Sequence, residues 1–257
     1  MPPRRKITTL LAAATLVAAA ACSAKDAPTG PRPTGPSGRL RVVNAVPDPQ
    51  RGGAANVWIG DQVFAVNLGY AAATDYKRVY VGPRDLHLRR TSDTSLVVVD
   101  QNFSVDADED FTAFAIGKLA ANGGTGISAI VVPDDNGAPA AGNVKMRFVN
   151  ASPAAGSVDI YVTAPAADIA TATPDVADLD FGSATAYLEK AAGTYRVRVT
   201  TAGTKTVILN IGQTAGTAPP SPVIPALPAL AAGAIRTIAI LDKSGSGTPI
   251  TAAIYNP

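Results

Sequence analysis

The chain has one cysteine, Cys22, and one histidine, His87, in 257 residues. A lone cysteine excludes an internal disulfide, so the fold must rest on its apolar core. One histidine and one cysteine also exclude the usual nitrogen-and-sulfur zinc sites. Aromatic residues make up 5% of the chain and charged residues 16%. The net charge of +2 falls to about −1 once Arg4, Arg5 and Lys6 are set aside. That near-neutral balance argues against nucleic acid as a partner. No apolar run reaches the roughly 20 residues that a helix needs to cross a bilayer. There is no Gly-x-Ser-x-Gly elbow, and no glycine loop opens a helix to cradle phosphate. The run NGGTG at 122–126 sits between two strand patterns and reads as a hairpin loop.

What is present begins at the N-terminus. Arg4, Arg5 and Lys6 form a basic head, residues 7–18 an apolar core, and Ala19 to Ala21 a small-residue exit. These are the three parts of an export signal, expected over 1–21. Cys22 directly after the small residues resembles the lipobox of bacterial lipoproteins. The resemblance implies a diacylglycerol thioether on Cys22, cleavage before it, and acylation of the new amino end. Ser23 stands where an aspartate would retain such a protein at the inner membrane, so the resemblance implies an outer-membrane or cell-surface location. Two or more acyl chains anchor a protein firmly, at about 0.8 kcal/mol per buried CH₂. Residues 22–38, rich in proline and glycine, read as a flexible lipidated tether.

The rest of the chain is one module written twice. RVVNAVP at 41–47 returns as RFVNASP at 147–153. LGYAAATDY at 68–76 aligns without a gap with LDFGSATAY at 179–187. Leu86 and Leu88 fall on Val197 and Val199, FTAFAI at 111–116 on IRTIAI at 235–240, and residues 127–131 on 250–254. Short segments alternate with a two-residue period, and Gly60-Asp61 marks a hairpin turn. Val, Ile and Thr favour strands. The expected architecture is all-β: module one over 39–133, a linker over 134–143, and module two over 144–257. Module two carries insertions at 164–178 and 214–228.

The two openings, with VDIYV at 158–162 and AAGTYRVRV at 191–199, resemble the DUF4397 family of exported bacterial proteins. The resemblance implies two tandem β-sandwich modules, immunoglobulin-like or prealbumin-like, and residence at the cell surface. It carries no catalytic residues.

Candidate chemistry is sparse. His87 alternates against Leu86 and Leu88 and reads as an outward strand residue. Asp106, Asp108, Glu109 and Asp110 invite calcium. They lack the glycine and the closing glutamate of a calcium loop, so they read as a solvated turn. Asp134, Asp135 and Asn136 read as a turn too. Asn44 and Asn150, each just before a proline-bearing turn, read as turn stabilisers. Asp159 and Tyr161 share the face opposite Val158, Ile160 and Val162, and Trp58 holds the related position in module one. These three residues are the candidate ligand surface, where aromatics stack on a sugar or peptide; the structural reading, packing under a loop or facing the other module, stands ahead of it.

Two functions stand against each other, beside a third reading in which the protein is a structural spacer that binds nothing. One is a non-enzymatic envelope protein, anchored through Cys22, that binds or scaffolds envelope polysaccharide or protein without a cofactor or metal. The other is a hydrolase acting on polysaccharide or peptide, which needs an acid pair or a nucleophile–base pair that the sequence does not identify.

Overall fold

The computed structural model describes residues 35–47, 54–91, 93–118, 126–212, 223–224, 227–243 and 250–257. The expected export signal, Cys22 and nearly all of the tether lie outside the described residues, as does most of the 122–126 loop.

Module one runs β1 (Ser37–Asn44), β2 (Ala55–Ile59), β3 (Gln62–Leu68), β4 (Lys77–Tyr80), β5 (Gly82–Arg90), β6 (Asp93–Val105), β7 (Asp110–Ile116) and β8 (Ser128–Asp134). Module two runs β9 (Asn143–Asn150), β10 (Val158–Thr163), β11 (Val176–Leu179), β12 (Ser183–Ala184), β13 (Leu188–Ala191), β14 (Arg196–Thr201), β15 (Val207–Ile211), β16 (Val223–Ile224), β17 (Ile235–Asp242) and β18 (Ile250–Tyr255). No helix occurs among the described residues, as the strand-favouring composition requires.

Each module is two sheets face to face. In module one the orders are β4-β1-β7-β8 and β3-β2-β5-β6. In module two they are β12-β9-β17-β18, with β13 also on β9, and β11-β10-β14-β15-β16. The topology is the same twice, with β16 added at one edge and the single Val43–Ala73 bridge of module one widened into β12. In both copies the opening strand pairs in parallel with the penultimate one, β1 with β7 and β9 with β17. The Gly60-Asp61 turn forms as expected: Ile59 faces Gln62, and Gly60 takes a φ of +56° that glycine adopts without strain.

The alternating residues sort onto two faces. Leu40, Val42, Val57, Leu86 and Leu88 fill the core of module one. Met146, Phe148, Ile160, Val197 and Val199 fill that of module two. Each such side chain, fully buried, contributes about 1.5–3 kcal/mol.

A third apolar cluster lies between the modules. Val43, Ala45, Phe114 and Ile116 of module one pack with Val149, Ala151, Ala239, Leu241 and Tyr255 of module two. The sheets containing β1 and β9 are therefore covered on both faces, and every residue of β7 is buried. Strands buried on both faces read as near-continuous apolar runs, which is why VVNAV and FVNA show little polar alternation.

Register corrects one correspondence. Arg41 faces Thr112, and Arg147 faces Thr237. FTAFAI at 111–116 therefore matches 236–241, one residue later than the apolar pattern indicates. Alternating Ala and Ile in both copies hides a shift of one.

Candidate functional site

The repeated motifs meet at the seam between the modules. Arg41 and Arg147 point away from their own cores and into it, and their residues are 4% and 1% exposed. Arg41 donates through Nε to Thr112 Oγ1 at 2.7 Å, and Arg147 does the same to Thr237 Oγ1 at 3.0 Å. Each guanidinium lies over the tyrosine of its own Ala-Thr-x-Tyr segment, Arg41 over Tyr76 at 4.8 Å and Arg147 over Tyr187 at 5.1 Å. Each also reaches the other module: Arg41 donates to the Asn256 carbonyl, and Arg147 to the Pro133 carbonyl at 2.8 Å. Asn256 and Pro133 are equivalent positions just after or within the last strand. The contact is reciprocal, as between two copies related by a two-fold axis.

Three further locks break that symmetry. Asp134 is paired with Arg147 and also accepts from Tyr76 Oη and Thr112 Oγ1, both at 2.6 Å. Asp242, fully buried, pairs with Lys118 at 2.6 Å and accepts from Ser152 Oγ and from the Ala154 amide at 3.1 Å. Tyr70 donates to the Asp242 carbonyl and Tyr255 to the Ala71 carbonyl. Burial raises the pKa of all four seam tyrosines, Tyr70, Tyr76, Tyr187 and Tyr255, and pushes Tyr76 up to about 12.

Along one side of the seam runs an open groove of about 930 Å³, lined by the 108–110 and 132–137 segments of module one and by Arg147 and 184–187 of module two. Asp110 sits in it, held by Arg39 through Nε at 2.6 Å and Nη2 at 2.5 Å and by Asn136 at 2.7 Å. Burial pushes the Asp110 carboxyl up, but the bonds from Arg39 and Asn136 outweigh it and hold it below the usual carboxylate range. Asp135 takes Lys145 at 2.6 Å, which lowers its pKa too. The rim presents the exposed residues Asp108, Glu109 and Asp135. Carboxylates dominate the lining, and the cations within it are already bonded to acids.

The expected site residues fare differently. The acidic turn is solvated at Asp106, Asp108 and Glu109, but Asp110 is buried and bonded. Asp134 is not a turn residue; it ends β8 as the buried partner of Arg147. Asn44 and Asn150 do stabilise the turns: each accepts from the amide two residues on, and each donates to an equivalent carbonyl, Leu68 or Leu179, at 3.0 Å. His87 faces outward beside Trp58 and lies 3.2 Å from Asp100, with its side chain 25% exposed.

The structure corrects the candidate ligand surface at two of its three positions. Tyr161 is 1% exposed and Asp159 is 4% exposed. Tyr161 accepts from Lys205 Nζ at 2.9 Å, beneath residues 164–175 of the 164–178 insertion, and Asp159 accepts from the Asp178 and Gly203 amides, both at 2.9 Å. Trp58 alone stays half-open, with Arg89 5.4 Å over its ring. The seam was not legible as a site, because an arginine that alternates outward looks the same in sequence whether it meets water or a second sheet. The one signal was the arginine repeated at 41 and 147 inside an apolar strand.

No curated protein matches the chain. A solved structure of family 41 carbohydrate-binding modules recognising alpha-glucan, from streptococcal virulence factors, aligns with 67% of this chain and 85% of its own. Identity is 10% and the TM-score 0.23. A leucine-rich repeat protein from Bacteroides thetaiotaomicron aligns with 68% of this chain and 24% of its own, at 14% identity and a TM-score of 0.18. Neither likeness bears on function. Residues 38–161, from β1 through most of β10, match the family described as a domain of unknown function, DUF4397.

Proposed function

We propose that the protein is a non-enzymatic, lipid-anchored component of the bacterial cell envelope that binds or scaffolds envelope polysaccharide or protein. On this reading both halves are DUF4397 modules, the chain is exported, and acyl chains on Cys22 moor it at the outer membrane or cell surface. The observation that carries the proposal is the seam. Its arginines, acids and tyrosines are bonded to one another across two sandwiches, so the charged groups that chemistry would use serve to fix one module against the other. A body fixed in that way presents its outer faces and loops at constant spacing, which suits recognition.

The test is photo-crosslinking in intact cells from probes placed at two exposed residues, Asp108 on the groove rim and Asn102 on β6, followed by identification of neighbours. The expected result is a small set of envelope components, with fatty-acid label on wild-type protein and none on Cys22→Ser. Label on neither protein overturns the anchor. Crosslinks no different from those of an unrelated exported domain overturn the binding role. Hydrolysis of envelope polymers by the purified protein, lost in His87→Ala, would establish the hydrolase instead.

A further inference from the structure

Module two covers the outer face of one of its sheets with its own chain. Residues 164–175 leave β10 and return as β11. On the way they are strapped down from beneath: Arg198 on β14 donates to the Ala167 carbonyl at 2.7 Å, and Lys205 donates to the Ala172 carbonyl. Asp175 closes the strap, accepting from the Val162 amide at 2.6 Å and pairing with Lys190 at 2.8 Å. On this face Tyr161 is 1%, Asn210 1% and Arg198 5% exposed. Ile169 of the strap is buried without joining either sandwich core.

Module one has the same face without a strap. Its β2 and β3 are joined by Gly60 and Asp61 alone. Trp58 occupies the place of Tyr161, and each faces the matching strand residue, His87 in one copy and Arg198 in the other. Asp100 occupies the place of Asn210, yet its side chain is 70% exposed. On the neighbouring edge strand Val66 is 67% exposed, the most open large apolar side chain among the described residues. No described segment crosses this face.

We propose that the outer face of β3-β2-β5-β6 receives an extended, proline-containing peptide segment of a partner envelope protein, laid down as the strap is laid on module two. The strap itself defines the chemistry. Its sequence, APAADIATATPD, is mostly alanine, threonine and proline, which extend readily and lose little side-chain freedom on binding. The incoming carbonyls accept from His87, which faces Trp58 as Arg198 faces Tyr161, and small apolar side chains cover Trp58 and Val66. This deepens the binding role proposed above and rests on it.

The molecule carries its own reporter, because Trp58 is its only tryptophan. The probe is a synthetic peptide of residues 163–176, added to the mature chain while Trp58 fluorescence is followed. The expected result is a saturable blue shift. His87→Ala, checked for an unchanged melting temperature, weakens binding by about threefold or more, the loss of one hydrogen bond. Val66→Ser, at the open apolar side chain of the same face, is the second variant should His87→Ala not fold, and it too is expected to weaken binding. An unchanged spectrum up to millimolar peptide overturns the site. A shift produced by soluble glucans or chitooligosaccharides and not by the peptide overturns the occupant. If Trp58 ignores the peptide while intact-cell crosslinks persist, this site falls and the binding role stands. If wild-type crosslinks vanish, the binding role itself falls.

Discussion

Arg147 and Asp134 form an ion pair across the seam with side chains 2% and 0% exposed. They stand 13 positions apart in sequence, yet they belong to different sandwiches. Such a pair costs desolvation on both sides, and its partners Thr112, Tyr76 and the Pro133 carbonyl offset that cost by filling the remaining positions on both groups.

Removing one partner leaves the other buried and uncompensated. Asp134→Ala is expected to lower unfolding free energy by about 3–5 kcal/mol, read from denaturant midpoints at constant slope. Replacing both with apolar residues, Asp134→Leu with Arg147→Met, is expected to recover most of that loss. A single Asp134→Ala within about 0.5 kcal/mol of wild type contradicts the seam as described.

Acid should loosen the groove side of the seam. The Asp110 carboxyl is held below its ordinary value in the folded chain, by Arg39 and Asn136 against the opposing effect of burial. A depressed folded pKa gives stability that is present above the unfolded value, about 4, and lost as pH falls through the folded one. Stability is therefore expected to drop below about pH 4. Asp110→Asn should flatten that part of the profile; an unchanged acid slope in the variant would refute the assignment.

Alkali should act on the same seam from the other side. Tyr76 is pushed up to about 12, and Tyr70, Tyr187 and Tyr255 are raised as well, each chiefly by burial. A raised folded pKa means the contribution is whole below the unfolded value, about 10, and disappears as pH climbs through the folded one. Phenolate absorbance should show these four tyrosines, of seven in the chain, ionising late or only with unfolding. Tyr76→Phe should remove one late proton.

The two modules should melt together. The apolar seam cluster joins residues from both, so the segment 39–257 is expected to give one calorimetric transition with matching calorimetric and van't Hoff enthalpies. The isolated segment 39–133 exposes Val43, Phe114 and Ile116, and should self-associate or bind a hydrophobic dye. Two resolved transitions in the intact protein would show that the seam does not couple them.

Much of the fold was readable because strand faces repeat. Leu86 and Leu88 point inward with His87 outward, as their alternation requires, and the Gly60-Asp61 turn sits where its residues place it. The alignment of 68–76 with 179–187 also has a physical basis: Thr74 Oγ1 and Thr185 Oγ1 each accept from the equivalent strand amide, Val42 or Phe148, at 3.0 Å. What alternation cannot convey is what lies opposite an outward face. Arg41 and Arg147 point away from their cores into another sheet, Tyr161 under the chain's own strap, and Trp58 to a half-buried place beneath Arg89. All read alike in sequence, since pattern fixes the side of a strand and tertiary contact fixes its neighbour.

The parallel pairing of β1 with β7 has a consequence for synthesis. Arg39 meets Asp110 only after 71 further residues have been made. Through that interval the opening strand has neither its central mate nor a cover, and a bare apolar strand is a template for clumping with other nascent chains. Arg39 and Arg41 in β1, like Lys145 and Arg147 in β9, set two positive charges into each waiting strand. Arg41 and Arg147, which later weld the halves together, thus double with their neighbours as gatekeepers, keeping each strand from strangers until its own partner arrives.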